Sequence, residues 1–517
     1  MSRALAIFGT GSDVGKSLIT AGFGRLLFRA GIRVAPFKAQ NMSLNSYVTF
    51  HGGEMGRAQV LQAQACGLAP HVDMNPVLLK PEADNKSQII VQGKVWASQQ
   101  AREYFDYRDE LFEHVKNSYE RLSKQYEVIL IEGAGSAAEL NLRDRDIVNW
   151  SVAHMAEAAV ILVADIDRGG IFAQVIGTLQ LLEPEERERV VGVVINKFRG
   201  DINLFQDGIG IIEARTGVPV LGVIPYLRNL DLDQEDSVEV ERFRCTPFAA
   251  DKINIAIILL PHMSNFTDFN QIQAESDVAL RYVTNPHELH GADVVVLPGS
   301  KTTIEDLEYL KREGFREGIV NHVRRGGELV GICGGFQMLG REVTDPYGVE
   351  TGGKGKGLEL LNVTTTLVAD KKTVQVYAHP LQPGIPSDCV VEGYEIHMGV
   401  TQGEDTRPCF RAIPHMENLT FNLPSQKQTE GDGQFDGAMS EDGLVWGTYI
   451  HGVFDQPLFR RQWLNRIRQR KGLSLVEMEV SKAVSAKVAG ALDRWADHVK
   501  EHVNVDKLFS VLGSQNC

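Results

Sequence analysis

Residues 4–17 constrain the fold more than any other stretch. Ala4 to Phe8 is an unbroken apolar run, and Gly9-Thr10-Gly11-Ser12-Asp13-Val14-Gly15-Lys16-Ser17 follows it. A helical pattern then continues to about Arg29. A buried strand, a tight glycine-rich loop and a helix, in that order, commit the chain to a parallel α/β sheet. They also build a phosphate site. Backbone N–H groups of the loop, at Gly11 and Gly15 among others, point at the phosphates. Lys16 reaches the outer phosphates, and the Ser17 hydroxyl suits Mg2+. The expected ligands are therefore ATP and Mg2+. The usual spacing would put the first glycine at position 10. Here it stands at Gly9, so the loop is a longer variant.

The strand–helix alternation continues with candidate strands at Val34–Phe37, Val128–Ile131, Ala159–Ala164, Val190–Asn196 and Val220–Ile224. Continuous apolar runs of this kind read as parallel strands covered on both faces, giving a doubly wound sheet. Functional groups gather at the C-terminal ends of such strands. Glu132 closes one of them, and a carboxylate opposite a phosphate loop takes a metal or orders its waters. The metal set expected is Ser17 and Glu132. Three more strand-end segments, Phe37–Ser43 with Lys38, Asp165–Phe172, and Asn196–Asp201, are each readable as an ordinary polar loop. Together on one sheet edge they form a nucleotide and substrate rim, with Lys38 and Asn196 its binding candidates.

From Arg228 to Lys252 the pattern breaks into acidic, turn-like sequence. The expected division is 1–228 as an ATP-dependent domain, 229–251 as linker, and 252–517 as a second α/β domain that includes the C-terminal helices. The second sheet begins at Ile253–Leu260 and continues at Ala292–Leu297, which ends in Pro298-Gly299-Ser300. In Gly331-Ile332-Cys333-Gly334-Gly335-Phe336 an apolar run meets one cysteine among glycines before a helix. Such a turn lifts a nucleophile above the sheet edge, and a helix N-terminus favours thiolate. A buried cysteine in a βα turn is the plain alternative. Trp446-Gly447-Thr448-Tyr449-Ile450-His451-Gly452 ends a β-like run in a histidine, and His451 and Cys333 can meet as base and nucleophile. Backbone N–H groups of the Gly299 turn and of the residue after Cys333 are natural oxyanion donors. His397, alone on a strand, reads more simply as a packing residue than as a catalyst. The helical stripes at Pro457–Gln469 and Val476–His498 read as core. The polar, glycine-rich stretch Pro424–Gly443 is expected to flank the second site.

A chain of 517 residues exceeds one ordinary domain, and 43% hydrophobic with 23% charged residues is typical of a globular protein. The net charge of -14 argues against a nucleic-acid surface. No apolar run approaches the roughly 20 residues of a membrane helix. Six scattered cysteines without paired spacing fit reduced thiols in a cytoplasm rather than disulfides or a zinc site.

The two Cys333 and His451 stretches together resemble the class I glutamine amidotransferases, in their corrinoid-amidating branch. The 9–17 loop resembles that of the dethiobiotin synthetase type of ATPase. Segments 37–43, 165–172, 196–201 and Gly393–Gly399 extend the resemblance to nearly the whole chain. It implies that Cys333 attacks the glutamine amide to give a glutamyl thioester and ammonia. It further implies that ATP activates a corrinoid carboxylate as an acyl phosphate for that ammonia, with corrinoid, glutamine and ATP as small-molecule partners and neither nucleic acid nor membrane among them. Many class I members carry a glutamate two residues after the histidine. Here that position is Val453, as the corrinoid branch leads one to expect. Asp455, Glu395 or an unassisted Cys–His dyad remain the alternatives for orienting His451. Within the branch, Gln40-Asn41-Met42-Ser43 and Asn196–Asp201 favour amidation of the b, d, e and g carboxylates over the type that acts on a and c. A partitioning-type ATPase is the rival of another class. It would carry a second lysine early in the loop, where this chain has Thr10 and Gly11, and no amidotransferase half.

Overall fold

Successive side chains of a strand point to opposite faces, and in Arg3–Gly9 both faces are buried. Leu5 and Ile7 enter one core while Ala4, Ala6 and Phe8 enter another, which is what a doubly wound sheet requires. The computed structural model describes residues 2–82, 86–100, 105–227, 230, 232, 246–403, 407–414, 433–477 and 484–513. Most of the expected linker, and residues 424–432 of the stretch 424–443, fall outside these residues.

The first half is a six-stranded parallel sheet in the order Val220–Pro225, Val190–Phe198, Ala159–Asp165, Arg3–Gly9, Val128–Glu132, Val34–Phe37. All five strands proposed after Ala4–Phe8 are present. The strand order puts the loop after Arg3–Gly9 between the ends of Val128–Glu132 and Ala159–Asp165, so Lys16, Glu132 and Asp165 share one edge. Two small sheets, unforeseen in the sequence, are inserted after Phe37. One runs Gln40–Met42, Val77–Pro81, Lys86–Val91, Lys94–Gln100, and the other is the hairpin Ser46–Val48 with Glu54–Gly56. Their strands are three to seven residues long, with apolar runs of no more than three residues interrupted by Asn, Gln, Ser, Glu or Lys, too short to stand out beside the main sheet.

The second half is another six-stranded sheet, in the order Val278–Val283, Ile253–Ile258, Val294–Leu297, Glu328–Ile332, Val445–Thr448, Ala438–Met439. All its pairings are parallel except the last. Beside it stands a seven-stranded sheet built on the long antiparallel pair Thr364–Pro380 and Val391–Gln402. Thr364–Pro380 is one long strand, whose register against Val391–Gln402 shifts between Leu367 and Lys372. Ile450–His451 pairs with this sheet through Tyr394 and Glu395, while the preceding Val445–Thr448 belongs to the parallel sheet. The histidine thus sits where the two sheets meet.

One expectation about the C-terminus is corrected. The helix Val484–His502 does not finish the second half but packs on the helix Lys16–Arg29 of the first. Trp495 Nε1 donates to the Leu18 carbonyl at 2.6 Å, and Arg25 makes a two-pronged pair with Asp493 at 2.8 and 3.0 Å. The backbone N–H of Asn504 then caps Leu221 at 2.7 Å. The apolar stripe Leu492, Trp495, Val499 had to be buried, but periodicity does not say against what. The sequence carries no signal that the chain crosses back. Trp495→Ala is expected to destabilise the first half by about 3 kcal/mol, the usual cost of emptying a large aromatic site. A urea titration followed by fluorescence of the remaining tryptophans checks this.

Candidate active site

At the phosphate loop, Gly15 adopts φ +96°, and a Cβ there would lie 2.2 Å from Asn196 Nδ2. Only glycine fits, because Asn196 closes on the loop to donate to the Val14 carbonyl at 2.9 Å. Lys16 Nζ bridges the carbonyls of Gly11 and Gly135, each at 2.9 Å. It is thereby held across the mouth of the loop. Ser17 Oγ donates to Glu132 Oε1 at 2.8 Å, and Lys38 Nζ meets the same oxygen at 2.9 Å. Gln62 and Gln59 hold the other oxygen. Burial would raise the Glu132 carboxyl, but the Lys38 ammonium outweighs it and holds the group below the usual carboxylate range. The sequence-derived candidates Gly11, Gly15, Lys16, Ser17, Lys38, Glu132 and Asn196 therefore form one cluster. The other rim segments join it, with Lys197 on Asp165 at 3.0 Å and Arg199 on Asp167 at 2.7 Å.

Cys333 occupies φ 51°, ψ -108°, a backbone region that side chains rarely adopt. The strain is imposed by its surroundings. Its N–H bonds to the Thr448 carbonyl of the neighbouring strand at 2.8 Å, and the helix that follows is seated so tightly that a Cβ on Gly335 would lie 2.0 Å from the Leu297 carbonyl oxygen. A Cβ on Gly334 would stand 2.8 Å from the Ser300 backbone nitrogen. Gly334 and the Gly299–Ser300 turn therefore border one small space beside the Cys333 sulfur.

His451 and Cys333 line the same cleft, and the Cys333 thiol donates to the Ile396 carbonyl oxygen at 3.6 Å. The carboxylate on the far nitrogen is Asp268, with Oδ2 at 2.7 Å from Nδ1, rather than either expected orienter. Its other oxygen accepts the Gly452 N–H at 3.0 Å, so the aspartate fixes both the ring and the turn that carries it. Asp455 instead closes that turn, donating its N–H to the Gly452 carbonyl at 2.9 Å. Glu395 holds His397 at 3.2 Å and also pairs with Lys372. His397 stacks on Tyr449 at 3.7 Å and lines the cleft. Burial alone would push the His451 imidazole down, but Asp268, helped by Cys333, pushes it up to about 10.

Asp268 was missed because it lies 183 positions from His451, in the irregular segment after Ile253–Ile258. A faint signal exists. Asn265-Phe266-Thr267-Asp268-Phe269 sets a carboxylate among aromatics just past a parallel strand, at the edge where functional groups collect.

The cleft is shared between the halves. Besides Cys333, His451 and Gln337 it is lined by Lys80 of the first half and by Lys301, Lys371 and Glu350 of the second. Buried ion pairs cross the seam, Lys371 with Glu54 and Lys301 with Glu82 at 3.1 Å, and Lys80 meets Glu54 from its own half at 2.8 Å. Burial pushes the Glu350 carboxyl up to about 8, against the pull of Lys301.

A strained cysteine with a carboxylate-braced histidine, joined across a seam to a phosphate loop, defines a glutamine amidotransferase fused to a nucleotide-binding domain. Residues 254–459 match the CobB/CobQ-like glutamine amidotransferase domain, and residues 5–239 match the CobQ/CobB/MinD/ParA nucleotide binding domain. The chain is 45% identical to the cobyric acid synthase of Syntrophobacter fumaroxidans, and the match covers 99% of each chain. It is 46% identical to that of Salmonella choleraesuis, again over 99% of both. The chain belongs to the cobyric acid synthase family and is a glutamine-hydrolysing amidotransferase that uses ATP. Among the described residues no helix is long and apolar enough to cross a membrane.

Proposed function

We propose that this enzyme amidates the b, d, e and g carboxylates of adenosylcobyrinic acid a,c-diamide in the cytoplasm, through acyl phosphates and with ammonia made at Cys333. The shared cleft is the observation that carries this reading. A residue of the nucleotide-binding half, Lys80, lines the pocket of the thiol, so the two chemistries are built to meet.

In the second half, the Cys333 sulfur attacks the glutamine amide carbon while its proton rests on His451. Gly334 and Ser300 N–H groups receive the oxyanion. His451 then gives its proton to the departing nitrogen, leaving a thioester, and returns as base for the water that hydrolyses it. Asp268 keeps Nδ1 protonated and turns Nε2 to the sulfur. Glu350, which a cation placed beside it would return to its ionised form, suits the α-ammonium of glutamine, and the lysines of the cleft suit its α-carboxylate.

In the first half, a carboxylate oxygen is too poor a leaving group for ammonia to displace, so it is first phosphorylated. The loop and Lys16 cradle the nucleotide, with Lys38 and Asn196 at its rim. The Ser17 hydroxyl and the Glu132 carboxylate are adjacent hard oxygens, a donor set that fits Mg2+, directly or through water. Bound there, Mg2+ would offset phosphate charge. Ammonia must pass between the sites unprotonated, and a seam closed by buried pairs keeps bulk water from it.

Turnover with the a,c-diamide against the corresponding acid lacking both amides tests the substrate. Amidation of the a and c positions would overturn this reading in favour of cobyrinic acid a,c-diamide synthase. Asp268→Asn is expected to lower glutaminase kcat by roughly 10- to 100-fold. A thiol nucleophile needs less help from a base than a hydroxyl does, so the fall should be smaller than for a serine triad. Steady-state glutamate release measures it, with Asp455→Asn expected to stay near the parent.

A further inference from the structure

Asn265 and Tyr394 both touch His451, and Ser46 of the other half bonds to the side chains of both. Asn265 is buried in a left-handed conformation, φ 52°. Its Nδ2 lies 3.3 Å from His451 Nδ1 and 3.4 Å from Nε2. One atom equally near both ring nitrogens, with Asp268 already on Nδ1, sits over the ring face rather than in its plane. Its Oδ1 accepts the Ser46 N–H at 3.0 Å. That N–H can only donate, so it dictates which end of the amide faces the imidazole. The Tyr394 ring lies nearly parallel to the imidazole, with centroids 5.3 Å apart, and its hydroxyl donates to the Ser46 carbonyl at 3.0 Å.

Ser46 is fully buried in the middle of a segment whose two ends hold the same carboxylate of the nucleotide site. Lys38 precedes it and pairs with Glu132. Gln59 and Gln62, on the helix Arg57–Ala65 that follows, hold the opposite oxygen of Glu132. The segment is also tied at its centre, where Asn45 O accepts the Arg57 N–H at 3.3 Å. Any change in the partners of Glu132 therefore pulls on both ends of the piece that carries Ser46. Neither Asn45 Oδ1 nor Ser46 Oγ has a protein hydrogen-bond partner although both are buried. The segment thus has polar groups in reserve for a second arrangement.

We propose that Ser46 is the contact through which the synthetase half positions His451, using Asn265 and Tyr394 as positioning residues, so that an occupied nucleotide and corrinoid site raises the rate of glutamine hydrolysis. If the contact loosens, the Asn265 amide is free to turn its oxygen to the ring and Tyr394 loses its anchor. Ammonia is then made slowly when no acyl phosphate awaits it. The proposal rests on Cys333 and His451 being the glutaminase pair.

Tyr394→Phe keeps the stacked ring and removes the hydroxyl's bond to Ser46. Thr373→Val is its control, removing a different bond between the halves, from Thr373 Oγ1 to the Gly52 carbonyl at 2.6 Å. Glutamate release is measured with and without Mg-ATP plus the a,c-diamide acceptor. The parent and Thr373→Val are expected to be stimulated. Tyr394→Phe is expected to lose about tenfold of stimulated kcat, with KM for glutamine nearly unchanged, and Asn265→Ala should behave likewise. Retained ammonium-supported amidation shows that each variant is folded. The proposal is overturned if the parent is not stimulated, if Tyr394→Phe keeps its stimulation, or if Thr373→Val loses as much. Failure of the Cys–His reading would show differently, as glutamate release that survives Cys333→Ala.

Discussion

Cys333→Ala is expected to abolish glutamine-supported amidation, by roughly 1,000-fold or more, while ammonium-supported amidation stays within about twofold of the parent. No neighbouring group can replace the sulfur. Among the described residues the other cysteines are Cys66, Cys389 and Cys409. None of these lines the cleft with His451. Losing the sulfur removes the thioester route outright rather than weakening one contact in it. The synthetase half should not notice, because Cys333 lies in the second half's sheet and touches the seam only by facing the cleft. The amidation assay is run with glutamine and, separately, with ammonium chloride at a pH high enough to supply free ammonia. Loss of both activities would mean that the two sites are not separable, and the proposed division of labour would fail.

The sequence made the two ends of this chemistry legible because each is marked by backbone necessity. A phosphate loop needs glycines and a lysine at fixed spacing, and a strained nucleophile needs glycines around it. The main strands could be read because both faces are buried and their sequences are continuously apolar. What joins the ends was not legible, for three separate reasons. Asp268 is a single carboxylate in a loop, and its role exists only through a contact made across the fold. The Ser46 hairpin and the Lys80 strand are short and set buried polar or charged residues (Ser46, Glu54, Lys80) among buried apolar ones, so neither gives a long apolar run. The helix around Trp495 shows the right amphipathic stripe but not its destination, and the stripe would look the same on either half. Patterns that a backbone must satisfy locally are visible in one sequence. Partnerships between distant side chains are not.

Lys16→Ala is expected to lower acyl-phosphate formation, and with it amidation from either nitrogen source, by roughly 100- to 1,000-fold. The expectation follows from what holds the lysine. Its Nζ bridges the carbonyls of Gly11 and Gly135, and carbonyls are neutral partners. These two bonds fix the ammonium across the mouth of the loop. An incoming phosphate finds a full positive charge already placed, and removing it loses electrostatic stabilisation that no other residue of the loop supplies. The Ser17–Glu132 contact does not involve Lys16, so the fold of the loop should persist and nucleotide affinity should fall less than turnover. Acyl phosphate is trapped with hydroxylamine in the absence of glutamine, and unstimulated glutamate release is followed in parallel. Because the thiol site keeps Cys333, His451 and Asp268, that unstimulated release should survive, while its response to Mg-ATP plus acceptor should vanish. If hydroxamate still forms at the parent rate, the phosphate loop does not activate the carboxylate. If unstimulated glutamate release disappears together with hydroxamate, the two halves are coupled so tightly that the thiol site has no independent turnover.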